Sequence, residues 1–346
     1  MDILIGLLII AIGAFCQSSC YVPINKIKSW SWESYWIVQG VFAWLVLPLL
    51  GAMLAIPDGQ GIGALCSIMS SNGQAALMTI IFGMLWGVGG LTLGLSMRYL
   101  GVALGQSIAL GTCAGLGTIM GPVLLHTFFP GTGALDKLTF AVILGVVVTL
   151  IGIAIIGVAG SMKAASLSEE EKREAVKDFN FTKGIVIALL AGFMSGCFNV
   201  GLEFGKELHF GADTPDMFKT LPATFLVTLG GFVTNAIYCF YQNQKNHTWG
   251  DYAKGSVWGN NLLFCALAGA LWYSQFFGLS LGKGFLTSSP TLMTLSFCIL
   301  MALNVVFSNV WGIILKEWKG CSQKTIAVLI TGIIVLIISS FLPQLI

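Results

Sequence analysis

The chain has 346 residues, of which 56% are hydrophobic and only 9% are charged, and its formal net charge is +2. Soluble domains carry about 25% charged residues, so this composition excludes a soluble globular protein. The small net charge predicts no nucleic-acid partner. The apolar residues occur in runs close to the roughly 20 residues that cross a hydrocarbon core about 30 Å thick. The composition therefore predicts an all-α membrane protein embedded in a lipid bilayer.

Ten apolar runs, taken in chain order, are predicted to be transmembrane helices. They are Ile3–Tyr21, Tyr35–Ile56, Ala75–Met97, Val102–Phe129, Leu138–Gly160, Gly184–Phe204, Thr220–Tyr241, Asn261–Gly282, Leu286–Leu315 and Thr325–Leu342. The fourth and ninth runs are longer than a straight crossing requires. We therefore expect either tilt or a kink near Pro122 or Pro290 in these two helices.

The polar segment 161–183 separates five predicted spans from five others. It is predicted to be a cytoplasmic linker with a short helix over SLSEEEKREAVKDF, capped by Ser168. Because each half has an odd number of spans, the halves enter the membrane in opposite directions. That arrangement predicts two inverted five-helix repeats, residues 1–160 and 184–346.

The Lys and Arg residues predict the orientation of the spans. Thirteen of the 17 lie in loops on one side of the predicted bundle, and four lie on the other. Loops rich in Lys and Arg stay in the cytoplasm. The sequence therefore predicts a multi-pass protein of the bacterial inner membrane with both termini in the periplasm.

Polar side chains inside the apolar runs mark candidate functional positions, because a polar group in hydrocarbon is costly unless it is paired or faces water. Six amides lie in six different predicted spans: Gln39, Gln106, Asn199, Asn235, Gln275 and Asn304. Each one is either a helix–helix hydrogen bond or a substrate contact. Because amides both donate and accept, a set of them suits a neutral polyol or sugar.

Aromatic residues accompany these amides deep in two predicted spans. Trp86 lies among glycines in GMLWGVGG, and Tyr273 lies beside Gln275 in ALWYSQFF. A sugar ring commonly rests its apolar face on an aromatic ring, so both residues are candidate substrate contacts. The alternative is packing or anchoring at the membrane surface, which Trp and Tyr favour.

Two acidic residues are candidate carriers of a coupled proton. Glu203 lies in the sixth predicted span, and an intramembrane carboxylate is a functional candidate by default. Its alternative role is a static ion pair with Lys206. Glu33, at the start of the second span, is the rival carrier, and its alternative role is an interfacial anchor with Trp30 and Trp32.

Signatures of catalysis and metal binding are nearly missing from the sequence. It contains no HExxH motif, no phosphate loop and no paired-cysteine metal motif. The segment Gly278–Gly282 matches the GxSxG pattern, but no histidine follows it and it ends a predicted membrane helix. We therefore predict neither an enzyme nor a protein with a metal or cofactor.

Four short segments, in this order, resemble the L-rhamnose–proton symporter family of the drug/metabolite transporter superfamily. They are KIKSWSWE (26–33), MRYLG (97–101), LWYSQFF (271–277) and LKEWKG (315–320). The likeness extends over nearly the whole chain. It implies uptake of L-rhamnose with a proton across the bacterial inner membrane, and it would place Trp86, Tyr273 and Gln275 in family-like motifs. It leaves open a neighbouring 6-deoxy sugar such as L-fucose, because similarity of fold does not set the substrate.

The sequence and the resemblance together predict a proton-coupled sugar carrier that works by alternating access. The proton is predicted to bind Glu203 or Glu33. The sugar is predicted to bind near the midplane between the halves, at Gln39, Trp86, Gln106, Asn199, Tyr273, Gln275 and Asn304. An exporter of drugs, metabolites or amino acids from the same superfamily is the alternative within transport. A structural membrane subunit is the alternative outside it, but such a subunit would not need polar groups directed into the bundle.

Overall fold

The computed structural model describes residues 2–100, 102–131, 133–166, 181–314 and 318–342, and every regular element in these ranges is helical. Ten helices in this part of the chain are long and apolar enough to span a membrane, which confirms the predicted all-α class. They are α1 (Asp2–Ser19), α2 (Trp32–Met53), α3 (Gly73–Leu100), α4 (Val102–Phe128), α5 (Phe140–Ala165), α6 (Phe181–Phe204), α7 (Leu221–Asn246), α8 (Gly255–Gly284), α9 (Pro290–Ile314) and α10 (Gln323–Phe341).

Of two prolines in the predicted spans, one begins a helix and the other lies inside one. Pro290 is the first residue of α9, where its missing N–H costs nothing. The ninth span therefore begins at Pro290 and not at Leu286, and the predicted kink there is wrong. Pro122 lies inside α4, which continues past it to Phe128.

A short helix, Ile62–Ser71, was not predicted. The predicted linker helix lies outside the described residues.

Helix α2 contains a wide turn. Its middle part, Val41–Val46, is π-helical, and the N–H of Leu47 donates to the carbonyl of Phe42, five residues earlier. The following residue, Pro48, has no N–H to donate, and its ring would clash with the carbonyl four residues before it. An extra residue in the turn relieves this conflict. The wide turn changes the direction of the side chains that precede Pro48.

The chain forms two compact units, each of which draws helices from both halves of the sequence. Unit A is Met1–Gly87 with Gly201–Phe285, and unit B is Val88–Val200 with Leu286–Ile346. Unit A contains α1, α2, α7, α8 and about half of α3. Unit B contains α4, α5, α9, α10 and most of α6. The compact units are therefore not consecutive in sequence, and the inverted repeats over 1–160 and 184–346 remain a prediction.

Glycines allow close helix packing inside unit A. A Cβ atom added to Gly13 of α1 would lie 2.8 Å from the carbonyl oxygen of Ser274 in α8. One added to Gly87 of α3 would lie 3.0 Å from the carbonyl oxygen of Gly231 in α7. Small residues let helix backbones approach in lipid, where no hydrophobic effect drives helices together. Gly87 is thus a point of close contact between α3 and α7.

Unit B is packed in the same way. A Cβ atom on Gly196 of α6 would lie 3.0 Å from the backbone nitrogen of Gly117 in α4. The hydroxyl of Thr149 in α5 donates to that of Ser339 in α10 at 3.0 Å. Close backbones and a hydroxyl pair hold these helices together.

Candidate functional site

Four tryptophans from three helices of unit A form one group of contacting rings, which we call the tryptophan cluster: Trp36, Trp44, Trp86 and Trp272. The ring of Trp44 lies 6.0 Å from Trp86 and 5.9 Å from Trp272, at 88° and 85° to them. Trp86 and Trp272 are 5.6 Å apart, and Trp36 lies 5.7 Å from Trp44. Edge-to-face contacts of this kind stabilise aromatic pairs beyond their buried area. Trp86, which the sequence singled out, thus belongs to an aromatic surface inside unit A.

Glycine makes room for the ring of Trp86. A side chain on Gly231 of α7 would overlap this ring directly. The aromatic surface therefore depends on a residue that carries no side chain in a neighbouring helix.

Three other predicted site residues also belong to unit A. Gln39 in α2 is 2% exposed, and its Oε1 atom has no hydrogen-bond partner among the described residues. The buried hydroxyl of Tyr273 in α8 lies against Gly51 of α2 and, in the same described part, also lacks a partner. Gln275 is buried where α8 packs on Gly13 of α1. Gln39, Trp86, Tyr273 and Gln275 therefore all belong to unit A, in which α2 and α8, the helices of Gln39 and Tyr273, are in close contact.

The remaining predicted sugar contacts belong to unit B. Asn199 is buried, and its Nδ2 atom donates to the carbonyl oxygen of Gly117 at 2.8 Å, a helix–helix hydrogen bond. Asn304 is buried in α9. Gln106 lies in α4, but its side chain falls outside the described residues. A sugar contact at these three positions remains a prediction.

The two candidate proton carriers differ in their surroundings. Glu203 lies in the last turn of α6 and is partly buried. Glu33 lies in the first turn of α2 and is 5% exposed. Its Oε1 atom accepts hydrogen bonds from Asn246 at 3.0 Å and from Thr248 at 2.8 Å. Glu33 is thus buried among polar partners.

Glu33 is part of a polar cluster that connects the start of α2 with the segment between α7 and α8. We define this polar cluster as Ser31, Glu33, Ser34, Asn243, Asn246, Thr248, Asp251 and Lys254. At its centre, Asp251 is 5% exposed and accepts from the Ser31 backbone and hydroxyl at 2.7 Å, from Ser34 at 2.9 Å and from Lys254 at 2.6 Å. Burial raises the pKa of the Asp251 carboxyl, but hydrogen bonds from Lys254, Ser31 and Ser34 outweigh it and lower the pKa from 3.8 to about 2. Asp251 is therefore ionised at every physiological pH.

The low pKa of Asp251 predicts how the stability of the polar cluster depends on pH. A carboxyl whose pKa is lower in the folded state stabilises the fold above its ordinary pKa of 3.8 and loses that effect as the pH falls towards 2. We therefore expect the melting-temperature difference between the wild type and Asp251→Asn to stay constant from pH 5 to 8. Below about pH 4 the difference should shrink. Thermal unfolding of the two purified proteins across this range tests the prediction, and a difference that disappears between pH 8 and 5 would contradict it.

Comparison with known proteins places the chain in a family. A family model described as "L-rhamnose-proton symport protein (RhaT)" matches residues 1–345. The chain belongs to this family. Proteins named L-rhamnose-proton symporter from Yersinia pestis (strain Pestoides F) and Yersinia pseudotuberculosis serotype O:1b (strain IP 31758) are each 32% identical to it over 348 aligned residues. The alignments cover 98% of this chain and 96% of each relative.

Membership of the L-rhamnose–proton symport family confirms the resemblance that the four short segments indicated, and it identifies a transporter family. The sequence analysis did not identify Trp36, Trp44 or Asp251 as candidate site residues. A signal for Trp44 was available, because tryptophan favours the membrane surface and Trp44 lies in the middle of α2. No local signal marked Asp251, whose partners Ser31 and Ser34 are more than 200 positions away in the sequence.

Proposed function

We propose that this protein carries L-rhamnose together with a proton into the cell, across the bacterial inner membrane, by alternating access. The observation that carries the proposal is the family match over residues 1–345, supported by the names of relatives that align along nearly their whole length. A fold with ten candidate spans suits such a carrier. An exporter of drugs or amino acids finds no support among these relatives.

For the sugar site we propose Gln39, Trp86, Tyr273 and Gln275 of unit A as the principal contacts. The partnerless Oε1 of Gln39 can accept from a sugar hydroxyl, and the Tyr273 hydroxyl can donate or accept. The aromatic surface around Trp86 suits the apolar face of a sugar ring. Gln106, Asn199 and Asn304 remain proposed contacts. Asn199 has a lower priority, because its Nδ2 atom already donates to the carbonyl oxygen of Gly117 in α4.

For the coupled proton we propose Glu203 in preference to Glu33. Glu203 lies within a membrane-spanning helix, and an intramembrane carboxylate is a functional candidate by default. Glu33 accepts hydrogen bonds from Asn246 and Thr248 in the polar cluster. Protonation of Glu33 would weaken both of these contacts. We further propose that the loops rich in Lys and Arg are cytoplasmic, that both termini are periplasmic, and that the halves are inverted repeats.

The test is uptake of radiolabelled L-rhamnose into proteoliposomes with an imposed pH gradient. Each pH unit supplies about 1.4 kcal/mol per proton, so an inward gradient of about two units supports roughly 100-fold accumulation for one-to-one symport. We expect a protonophore to abolish accumulation, and L-fucose and L-mannose, tested as competitors, to define the selectivity. Uptake that does not respond to the gradient would overturn the symport proposal.

A further inference from the structure

Trp44 stands apart from the other members of the tryptophan cluster by its burial. Its side chain is 3% exposed, and it contacts Trp36, Trp86 and Trp272. Its Nε1 atom is nevertheless without a hydrogen-bond acceptor in the described part of the chain. A buried N–H group loses its bonds to water on folding, and native structures rarely leave such a donor unpaired. The indole N–H of Trp44 therefore needs an acceptor that these residues do not supply.

The backbone around Trp44 is also specialised. Trp44 lies in the π-helical part of α2, Val41–Val46, and π-helical turns occur frequently at functional sites. One turn earlier, a Cβ atom on Gly40 would lie 2.6 Å from the Trp44 ring. A wide turn and a glycine therefore fix the position of the ring.

Two further partnerless polar atoms lie along the contact between α2 and α8. They are Oε1 of Gln39, five residues before Trp44, and the hydroxyl of Tyr273, next to Trp272. The two helices pack closely, because a Cβ on Gly269 of α8 would lie 3.1 Å from the Gln39 carbonyl oxygen. An indole donor, an amide acceptor and a phenol thus lie on α2 and α8, the two helices that carry Trp44 and Trp272.

We propose that Trp44 is a sugar-contacting residue whose indole N–H donates a hydrogen bond to a hydroxyl oxygen of a 6-deoxy sugar. This inference rests on the proposed function and adds a contact residue to it. The rings of Trp44, Trp86 and Trp272 receive the methyl-bearing apolar part of the sugar. L-Mannose differs from L-rhamnose only by a hydroxyl on that methyl group, and its extra hydroxyl meets carbon atoms of the indoles. A hydrophobic pocket rejects such an added hydroxyl by at most about 100-fold.

The test compares Trp44→Phe with Trp30→Phe in the purified full-length protein. Phenylalanine removes the N–H group and keeps an apolar ring. Trp30 is a matched control, because it is 8% exposed, its Nε1 also lacks a partner among the residues described, and its ring neighbours are Tyr252 and Trp258, outside the tryptophan cluster. Calorimetry with L-rhamnose and L-mannose measures binding, and gel filtration and thermal unfolding confirm the fold.

We expect Trp44→Phe to weaken L-rhamnose binding about 3- to 10-fold, which is the effect of one neutral hydrogen bond. The ratio of L-rhamnose to L-mannose affinity should stay the same, because the apolar surface remains. Trp30→Phe should bind like the wild type. Gly40→Ala, which displaces the Trp44 ring without removing its N–H, should also weaken binding and serves as the test if Trp44→Phe does not fold.

The failures of the two proposals are distinguishable. If the wild type binds L-rhamnose and both Trp44→Phe and Gly40→Ala bind it equally well, Trp44 is not a sugar contact. Equal weakening by Trp30→Phe and Trp44→Phe would also overturn the inference, since the effect would then be structural. If the wild type binds none of these sugars, the proposed function itself fails.

Discussion

Replacement of Asp251 by alanine is expected to lower the free energy of unfolding by about 1–3 kcal/mol. Asp251 is 5% exposed and accepts hydrogen bonds from Ser31, Ser34 and Lys254. Alanine would leave the buried donors of Ser31 and Ser34 without their acceptor, and a buried donor left unpaired costs about 1–3 kcal/mol. The Lys254 side chain is 46% exposed, so water can solvate its charge. The yield of folded protein and its thermal unfolding in detergent measure the effect.

The chain offers a matched control at Asp216. Asp251–Lys254 and Asp216–Lys219 are both ion pairs of residues three positions apart. The side chain of Asp216 is 53% exposed, whereas that of Asp251 is 6% exposed. Because exposed pairs contribute about 0–1 kcal/mol, Asp216→Ala should change stability little. Similar losses of stability in the two variants would show that burial of the Asp251 carboxylate does not carry the effect.

Glu203→Gln is expected to remove accumulation driven by a pH gradient while exchange of L-rhamnose continues. A glutamine at this position of α6 keeps the size of the side chain but cannot gain or lose a proton. With an inward gradient of about two pH units, accumulation should fall from as much as roughly 100-fold to equilibration. Two assays on the same proteoliposomes separate the effects: gradient-driven uptake, and exchange of internal for external sugar at equal pH.

Glu33→Gln is the companion variant. Glu33 accepts hydrogen bonds from Asn246 and Thr248, so its replacement should lower thermal stability and leave the response to the gradient intact. If Glu33→Gln uncouples transport and Glu203→Gln does not, Glu33 carries the proton and the assignment to Glu203 is wrong. If neither variant changes coupling, the proton binds elsewhere and both assignments fail.

The sequence by itself determined the membrane class, the ten spans and the family. Each of these features depends on residues that are close together in the sequence. A run of about 20 apolar residues must cross the bilayer as a helix, because its backbone groups can find hydrogen-bond partners there only within the helix or in a closed barrel. The same local information identified Trp86 and Glu203 as unusual residues within apolar runs. It misplaced the start of the ninth span, because helix ends depend on single residues such as Pro290.

Only the tertiary structure decided which polar residues are neighbours. The sequence identifies both Asn199 and Gln39 as amides inside apolar runs. In the structure, Asn199 donates to the carbonyl oxygen of Gly117 in another helix, while Oε1 of Gln39 lacks a partner in the described ranges. Ser31 and Asp251, 220 positions apart, meet in the polar cluster. The wide turn of α2 and Gly40 fix the direction of Trp44. Helix rotation and long-range contacts set these neighbours, and an apolar run specifies a crossing of the membrane without specifying which of its faces meets which helix.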